Sequence, residues 1–175
     1  MAKTCIFLIA IFLLFNLIGC VKEDAPNPDK NTRESINAEK HEILETEFRK
    51  DGELTIFSSG GDKKAEFAIE IASTEKASMQ GLMYRESMEE SQAMFFDPQG
   101  LANTPFWMKN TYIPLDIIFI DADNTIIHIV ENTRPFSEEK IYSNGIYRYV
   151  LEINAGLAGK LGLTTGDKII WTTEL

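Results

Sequence analysis

Cysteine and histidine are nearly absent from this 175-residue sequence, which contains two of each. Cys5 and Cys20 belong to the N-terminal twenty residues, while His41 and His128 stand far apart in the sequence. So few thiols and imidazoles leave no basis for a Cys–His or Ser–His catalytic pair or for a histidine-based zinc site. They also leave no disulfide scaffold, so a folded domain must depend on its apolar core.

Basic charge is scarce as well. The chain has 17 Lys and Arg residues against 27 Asp and Glu residues, a net charge of −10, and residues 51–175 alone carry −9. A nucleic-acid-binding protein needs a concentrated basic face, and no Lys/Arg cluster is present. Nucleic acid is therefore excluded as an expected partner, and the acidic chain should also be repelled by an anionic membrane surface.

One long apolar run lies at the N-terminus, over residues 6–18. Its length is short of the roughly 20 residues that span a bilayer and is typical of a signal peptide. Leu17-Ile18-Gly19-Cys20 follows and resembles a lipobox, in which Cys20 becomes the acylated N-terminus. The sequence predicts a lipoprotein signal peptide over residues 1–19 and a lipid (palmitate) anchor on Cys20, with an uncleaved N-terminal anchor as the alternative.

Residues 20–50 are predicted to form a flexible acidic tether. They are rich in Asn, Asp, Glu, Lys and Pro and poor in aromatics, a composition that buries too little surface to fold. Val21-Lys22-Glu23-Asp24 resembles the surface-export signal of some Gram-negative lipoproteins, although a charged tether explains it equally well. The expected location is the cell envelope, on the outer membrane, with the periplasmic or surface-exposed face left open.

Residues 51–175 are predicted to form a single β-rich domain. Apolar and charged residues alternate over 64–71, which is typical of a half-buried antiparallel strand. Turn residues at 58–62 join it to a preceding strand, and those at 122–124 predict a second hairpin.

A short helix is predicted from the cap Ser73 to about Met83, with Met79 and Leu82 facing the core. A second short helix follows the strand that ends near residue 154. About seven short strands without βαβ alternation favour a mainly β domain, an antiparallel sandwich or partly closed barrel. We expect a monomer.

The stretch 106–121 is the most unusual part of this domain, because it places many polar groups in an apolar, strand-like run. If residues 104–111 form a strand, Trp107 and Lys109 share one face and Asn110 lies on the other. Pro114 interrupts backbone pairing before a second strand begins. The sequence predicts that a ligand binds at this stretch.

Four motifs resemble those of domain-of-unknown-function family 192, and together they extend over residues 53–173. They are Gly81-Leu82-Met83-Tyr84-Arg85, Met94-Phe95-Phe96, the stretch 106–121, and Tyr149-Val150-Leu151-Glu152-Ile153-Asn154-Ala155-Gly156. The resemblance implies a small β-rich domain, often secreted. It implies no established activity.

The first functional hypothesis is a binding module for a small polar or sugar-like ligand. Trp107 would supply a flat stacking face, and Arg85 would hold an anionic group. The predicted ligand-binding residues are Arg85, Trp107, Lys109, Asn110, Asp116, Glu152 and Asn154. The purely structural alternatives are that the Trp107 indole packs in the core and that Arg85 and Glu86 form a solvated ion pair.

The second hypothesis is a glycoside-type hydrolase that uses Asp116 and Glu152 as catalytic carboxylates. Such chemistry needs two carboxyls about 5–10 Å apart with divergent pKa values. The commoner explanation is that each carboxylate bonds a neighbouring cation or loop backbone.

The third hypothesis is an envelope assembly domain that binds no ligand and uses an apolar surface around Phe95, Phe96 and Phe106, although a domain of this size is expected to bury them.

No cofactor and no metal are expected. No glycine-rich phosphate loop precedes a helix, as a nucleotide cofactor would require. The acidic cluster 121–124 is explained by a tight turn and lacks the rest of a calcium loop.

Overall fold

The computed structural model of the chain describes residues 47–174. The predicted signal peptide, its lipobox and nearly all of the predicted tether lie outside this range. Within the range, no helix is both long and apolar enough to cross a membrane.

Residues 47–174 form a mainly β domain, which confirms the predicted fold class. The strands are β1 (Gly52–Phe57), β2 (Lys63–Ala72), β3 (Gln92–Phe96), β4 (Leu115–Ile120), β5 (Ile126–Val130), β6 (Tyr149–Asn154) and β7 (Lys168–Thr173). The helices are α1 (Glu75–Gln80) and α2 (Leu157–Lys160). All seven strands join one sheet in the order β5-β4-β6-β3-β2-β1-β7.

The sheet curls until its two edge strands approach each other. Thr125, before β5, bridges Lys168 at the start of β7. The Ile126 N–H donates to the Asp167 carbonyl at 2.9 Å, and the Ile169 N–H donates to the Asn124 carbonyl at 2.9 Å. The result is a half-barrel, within the partly closed barrel predicted from the sequence, and the contact protects part of both edges.

One strand pair in the described sheet is parallel, and the expectation that no βαβ unit exists is wrong. β2 and β3 run parallel, with Ile69 opposite Ala93 and Ile71 opposite Phe95. β2, α1 and β3 therefore form a short crossover unit. The sequence pattern does not reveal it because α1 has only six residues and leads into turns and irregular backbone over 81–91.

Strand alternation builds two apolar clusters, one on each face of the sheet. The inner core contains residues from all seven strands and from α2, such as Phe67, Phe95 and Leu151. The outer cluster, which includes Phe96 and Phe119, lies beneath α1 and the loops around it. β4 is buried at all six positions because it contributes to both clusters, which explains why its residues are apolar except for Asp116.

Helix α1 is shorter than predicted and begins one residue later. Thr74, not Ser73, is its N-cap, and the Thr74 hydroxyl oxygen accepts from the Ala77 N–H at 3.1 Å. The helix ends before Gly81, where φ is 48° and an added Cβ would lie 3.1 Å from the Phe96 ring. Leu82 is buried as predicted, but Met79 is 70% exposed, so its assignment to the core is wrong.

Residues 104–111 form a loop, and the prediction of a strand there is wrong. The pairing is limited to Phe106, which bridges Ile141 through two backbone hydrogen bonds of 2.8 and 2.9 Å. Pro105 has no N–H to donate, and Asn110 has a left-handed φ of 54°, so regular pairing cannot continue on either side. The expected alternation of side chains along this segment therefore does not apply.

Candidate functional site

A cavity of about 1010 Å³ lies over the outer face of the sheet. Its walls are α1 with the turn after it and the loop that contains Trp107. Buried Phe96, Tyr147 and Glu152 form its floor, and partly exposed Trp107 marks its mouth. The volume is at the upper end for small-molecule sites, which are typically about 300–1000 Å³.

The Trp107 indole stands at this mouth and is 39% exposed, so its explanation as a core residue is wrong. Two ammonium groups lie near its ring: Lys140 Nζ is 3.8 Å from the ring centroid, and Lys109 Nζ is 5.2 Å from it. Neither lysine has an ion-pair partner within residues 47–174. The mouth thus holds two ammonium groups that have no ion-pair partner among the described residues, in a domain that is acidic.

Lys140 is the member of this group that sequence reasoning missed. It follows Glu138 and Glu139 in an irregular loop, and nothing in that pattern marks it as a site residue. The bridge between Phe106 and Ile141 brings Lys140 close to Trp107, because Lys140 directly precedes Ile141 and Trp107 directly follows Phe106.

Asn110 also lines the cavity, and it braces the wall. Its carbonyl accepts from the Tyr84 N–H at 2.9 Å, and its amide donates to the Tyr84 hydroxyl at 2.8 Å. Asn110 and Tyr84 both have positive φ, 54° and 65°, which is a strained conformation for tyrosine. The pair fastens the Trp107 loop to the turn that follows α1.

Glu152 lies on the cavity floor, on the interior strand β6 between β4 and β3, and is 5% exposed. Its cross-strand neighbours are Met94 on β3 and Ile117 on β4, both apolar. Burial raises the pKa of Glu152 to about 8. Within residues 47–174 its carboxyl has no hydrogen-bonding or ion-pairing partner.

Asp116 does not reach this cavity, and its predicted role as a ligand-binding or catalytic residue is corrected. It is fully buried, and its two oxygens accept from the Asn132 N–H at 2.8 Å and from the Ala158 N–H at 2.9 Å. Gly156, the N-cap of α2, makes no side-chain cap, so Asp116 supplies the missing acceptor from another strand. The carboxylate is a structural brace.

The two candidate catalytic carboxylates face opposite sides of the sheet. Glu152 is paired in register with Ile117 of the outer cluster, whereas Asp116 is paired with Ile153 of the inner core. Residues in register project to the same face, so the sheet itself separates the two carboxylates. The hypothesis of a hydrolase based on this pair is therefore contradicted by the geometry.

Arg85 and Asn154 are likewise engaged elsewhere. Arg85 is 3% exposed, and its Nη2 pairs with Glu70 Oε2 at 2.7 Å, so the alternative of a solvated pair with Glu86 is wrong. Both partners line a separate concavity of about 490 Å³ on the other side of α1. Asn154 donates its amide to the Met88 carbonyl at 2.7 Å, which ties down the segment before β3.

The phenylalanines expected to be core residues are packed inside the domain. Phe95 and Phe96 are 0% and 3% exposed, and Phe106 packs edge-on against Phe96 with 5.2 Å between ring centroids. They do not supply the apolar surface that the assembly hypothesis requires.

Within residues 47–174, no group of three or more His, Cys, Asp and Glu side chains is placed to hold a metal ion. In the acidic cluster, Asp121 Oδ1 accepts from the Asp123 and Thr125 N–H groups at 2.9 and 2.8 Å, as in a tight turn.

A curled, mainly β sheet defines the general class of this protein, a small β domain with a cavity on the outer face of its sheet. The chain belongs to the family DUF192, described as an uncharacterized ACR, which matches residues 56–171. This match confirms the resemblance inferred from the motifs. No curated protein matches the chain.

Two solved structures are similar to this chain. One is a protein from Sinorhizobium meliloti 1021 described as a "putative transcription regulator", with 38% identity, a TM-score of 0.67, and coverage of 69% of this chain and 93% of the other. The second is a protein of unknown function from Novosphingobium aromaticivorans DSM 12444, with 37% identity, a TM-score of 0.65, and coverage of 68% and 84%. At these identities the likeness extends beyond the fold to the family.

Proposed function

We propose that this protein is a lipid-anchored envelope protein whose β domain binds a small ligand carrying an anionic group. The observation that carries the proposal is the cavity mouth, where Lys109 and Lys140 flank the Trp107 indole without carboxylate partners in the described chain. An anion at this position would offset the repulsion between the two ammonium groups.

The walls of the cavity support an apolar body for this ligand. Met83, Pro105 and Phe106 line the cavity, and Phe96 lies on its floor. Stacking of a sugar ring on Trp107 would have to displace the Lys140 ammonium, which lies 3.8 Å from the ring centroid. The arrangement thus favours an amphipathic anion over a neutral sugar.

The binding proposal predicts that hexanoate binds the full chain in detergent and that its neutral methyl ester binds at least tenfold more weakly. Lys140→Ala is expected to weaken hexanoate binding about tenfold, because a charge-assisted contact is lost. Isothermal titration calorimetry measures both effects. Lys63→Ala removes an exposed lysine outside the cavity and serves as the matched control. Equal affinity for acid and ester would refute an anion site.

The anchor proposal rests on the lipobox that ends at Cys20, which lies outside the described residues. In cells fed labelled palmitate, we expect the wild-type chain to incorporate label and to enter the detergent phase on extraction. Cys20→Ala is expected to abolish both results, and Cys5→Ala is expected to leave them intact, since Cys5 belongs to the cleaved segment. Labelling of the Cys20→Ala chain would contradict lipidation at this position.

A further inference from the structure

We propose that Glu152 acts as an uncharged hydrogen-bonding group on the cavity floor, so that the cavity selects an anion whose far end carries a primary amide or a similar paired donor and acceptor. This inference rests on the proposed function, because it names the ligand class of the same cavity. The floor would then select the far end of the ligand, as the mouth selects its anionic end.

The position of Glu152 calls for a functional explanation. The residue lies between Met94 and Ile117 in the sheet and lines the cavity floor together with Phe96 and Tyr147. Burying a carboxyl group without a partner costs free energy, and nearly all buried polar side chains in proteins have one. Within residues 47–174 Glu152 has none, and it borders the cavity, so a molecule held in the cavity can supply the partner.

No charged group of the neighbouring elements neutralises Glu152. On β2, Glu70 lies two strands away, a backbone separation of about 10 Å, and is already paired with Arg85. The Tyr147 hydroxyl of the floor donates to the Thr104 carbonyl at 2.9 Å and is used there.

The remaining ionisable groups around the cavity are Glu75 on α1 and the two lysines of the mouth, Lys109 and Lys140. Both lysines lie near the Trp107 ring and not against Glu152. Because burial raises the pKa of Glu152 to about 8, this carboxyl is mainly protonated at neutral pH.

A protonated carboxyl offers one O–H donor and one carbonyl acceptor side by side. A primary amide presents the complementary acceptor and donor, so the two groups can form a pair of hydrogen bonds without creating charge in an apolar floor. An ammonium group would instead require the ionised carboxylate, and both charges would then lose their hydration.

The test compares the affinities of hexanoate, adipate monoamide and ω-aminohexanoate for the full chain in detergent. The corresponding ligands with the chain length of suberate are measured as well, so that a longer ligand can span the distance from the mouth to Glu152. At about pH 6, we expect the monoamide to bind about tenfold more tightly than hexanoate. At about pH 9.5, Glu152 loses its proton and this preference should disappear. The ratio of the two affinities is the readout, because both ligands present the same carboxylate to the mouth lysines.

Two variants distinguish an uncharged Glu152 from the main alternative, in which Glu152 binds the ligand as an ionised carboxylate. Glu152→Gln keeps a donor and an acceptor without a titrating proton, so the monoamide preference should persist at both pH values. Glu152→Leu should remove the preference. Loss of the preference in Glu152→Gln, or an ω-aminohexanoate affinity that exceeds the others and rises with pH, would show that Glu152 binds as a carboxylate and overturn the inference.

The outcomes also distinguish this inference from the proposed function. If hexanoate and the monoamide bind equally well at about pH 6, the role of Glu152 is refuted while the anion site stands. If none of the three carboxylates binds at either length, both proposals fall together.

Discussion

Glu152→Gln is expected to raise the free energy of unfolding by roughly 3–5 kcal/mol at alkaline pH and to change it little at acid pH. In the unfolded chain this carboxyl releases its proton near pH 4.5, whereas in the folded chain burial holds the proton until about pH 8. Between these values the folded state binds more protons, so the contribution of Glu152 to stability falls as pH rises. Above about pH 8 the contribution is fully lost, and glutamine has no such loss.

Urea unfolding of both chains from about pH 4 to about pH 9 measures this difference. The stability gap between the variant and the wild type should open as pH rises and level off beyond pH 8. Glu139→Gln, at an exposed position in the loop before Lys140, removes the same charge without burial and should leave the gap near zero. A gap that is constant with pH would mean that Glu152 is ionised in the folded protein.

Asp116→Ala is expected to lower the free energy of unfolding by about 2–4 kcal/mol. The substitution leaves the N–H groups of Asn132 and Ala158 without acceptors, and the latter lies in the first turn of α2. Because Asp116 is fully buried, water cannot readily replace the lost oxygens.

Chemical denaturation at neutral pH gives the size of this loss. Asp123→Ala, in the exposed turn between β4 and β5, is the matched control and should change stability by less than about 0.5 kcal/mol. Amide exchange adds a local readout, since the Asn132 and Ala158 N–H groups should lose protection in Asp116→Ala. Unchanged stability would show that Asp116 is not the brace that its hydrogen bonds indicate.

The hairpins and the strand content of this fold were predictable from the sequence. The alternation over residues 64–71 and the turn at 122–124 are local patterns, and each corresponds to an antiparallel pair in the structure. The parallel pairing of β2 with β3 is not local, since its connection is a six-residue helix followed by irregular backbone. Such a crossover leaves no periodic pattern to detect.

The candidate site was predictable in part, for physical reasons that differ between residues. Trp107, Lys109, Asn110 and Glu152 all line the cavity, although the first three do so from a loop and not from the predicted strand. Lys140 joins them through a backbone bridge between distant segments, which no local pattern encodes.

Three other predicted ligand-binding residues do not line this cavity. Arg85, Asp116 and Asn154 are each held by a partner distant in sequence. A polar residue within a segment that is predicted to be buried indicates that its side chain has a partner. The sequence does not show whether that partner is another protein group or a ligand.

The bridge between Phe106 and Ile141 has a consequence for which side chains the cavity mouth can present. Two main-chain hydrogen bonds hold the cavity mouth in register, and main-chain bonds do not depend on which side chains flank them. Trp107 and Lys140 can therefore be exchanged for other residues while the backbone that presents them stays in place. A relative with acidic or apolar side chains at these two positions would carry the same cavity with a different entrance. The bridge thus fixes the backbone of the mouth, while the side chains at positions 107 and 140 determine its charge and shape.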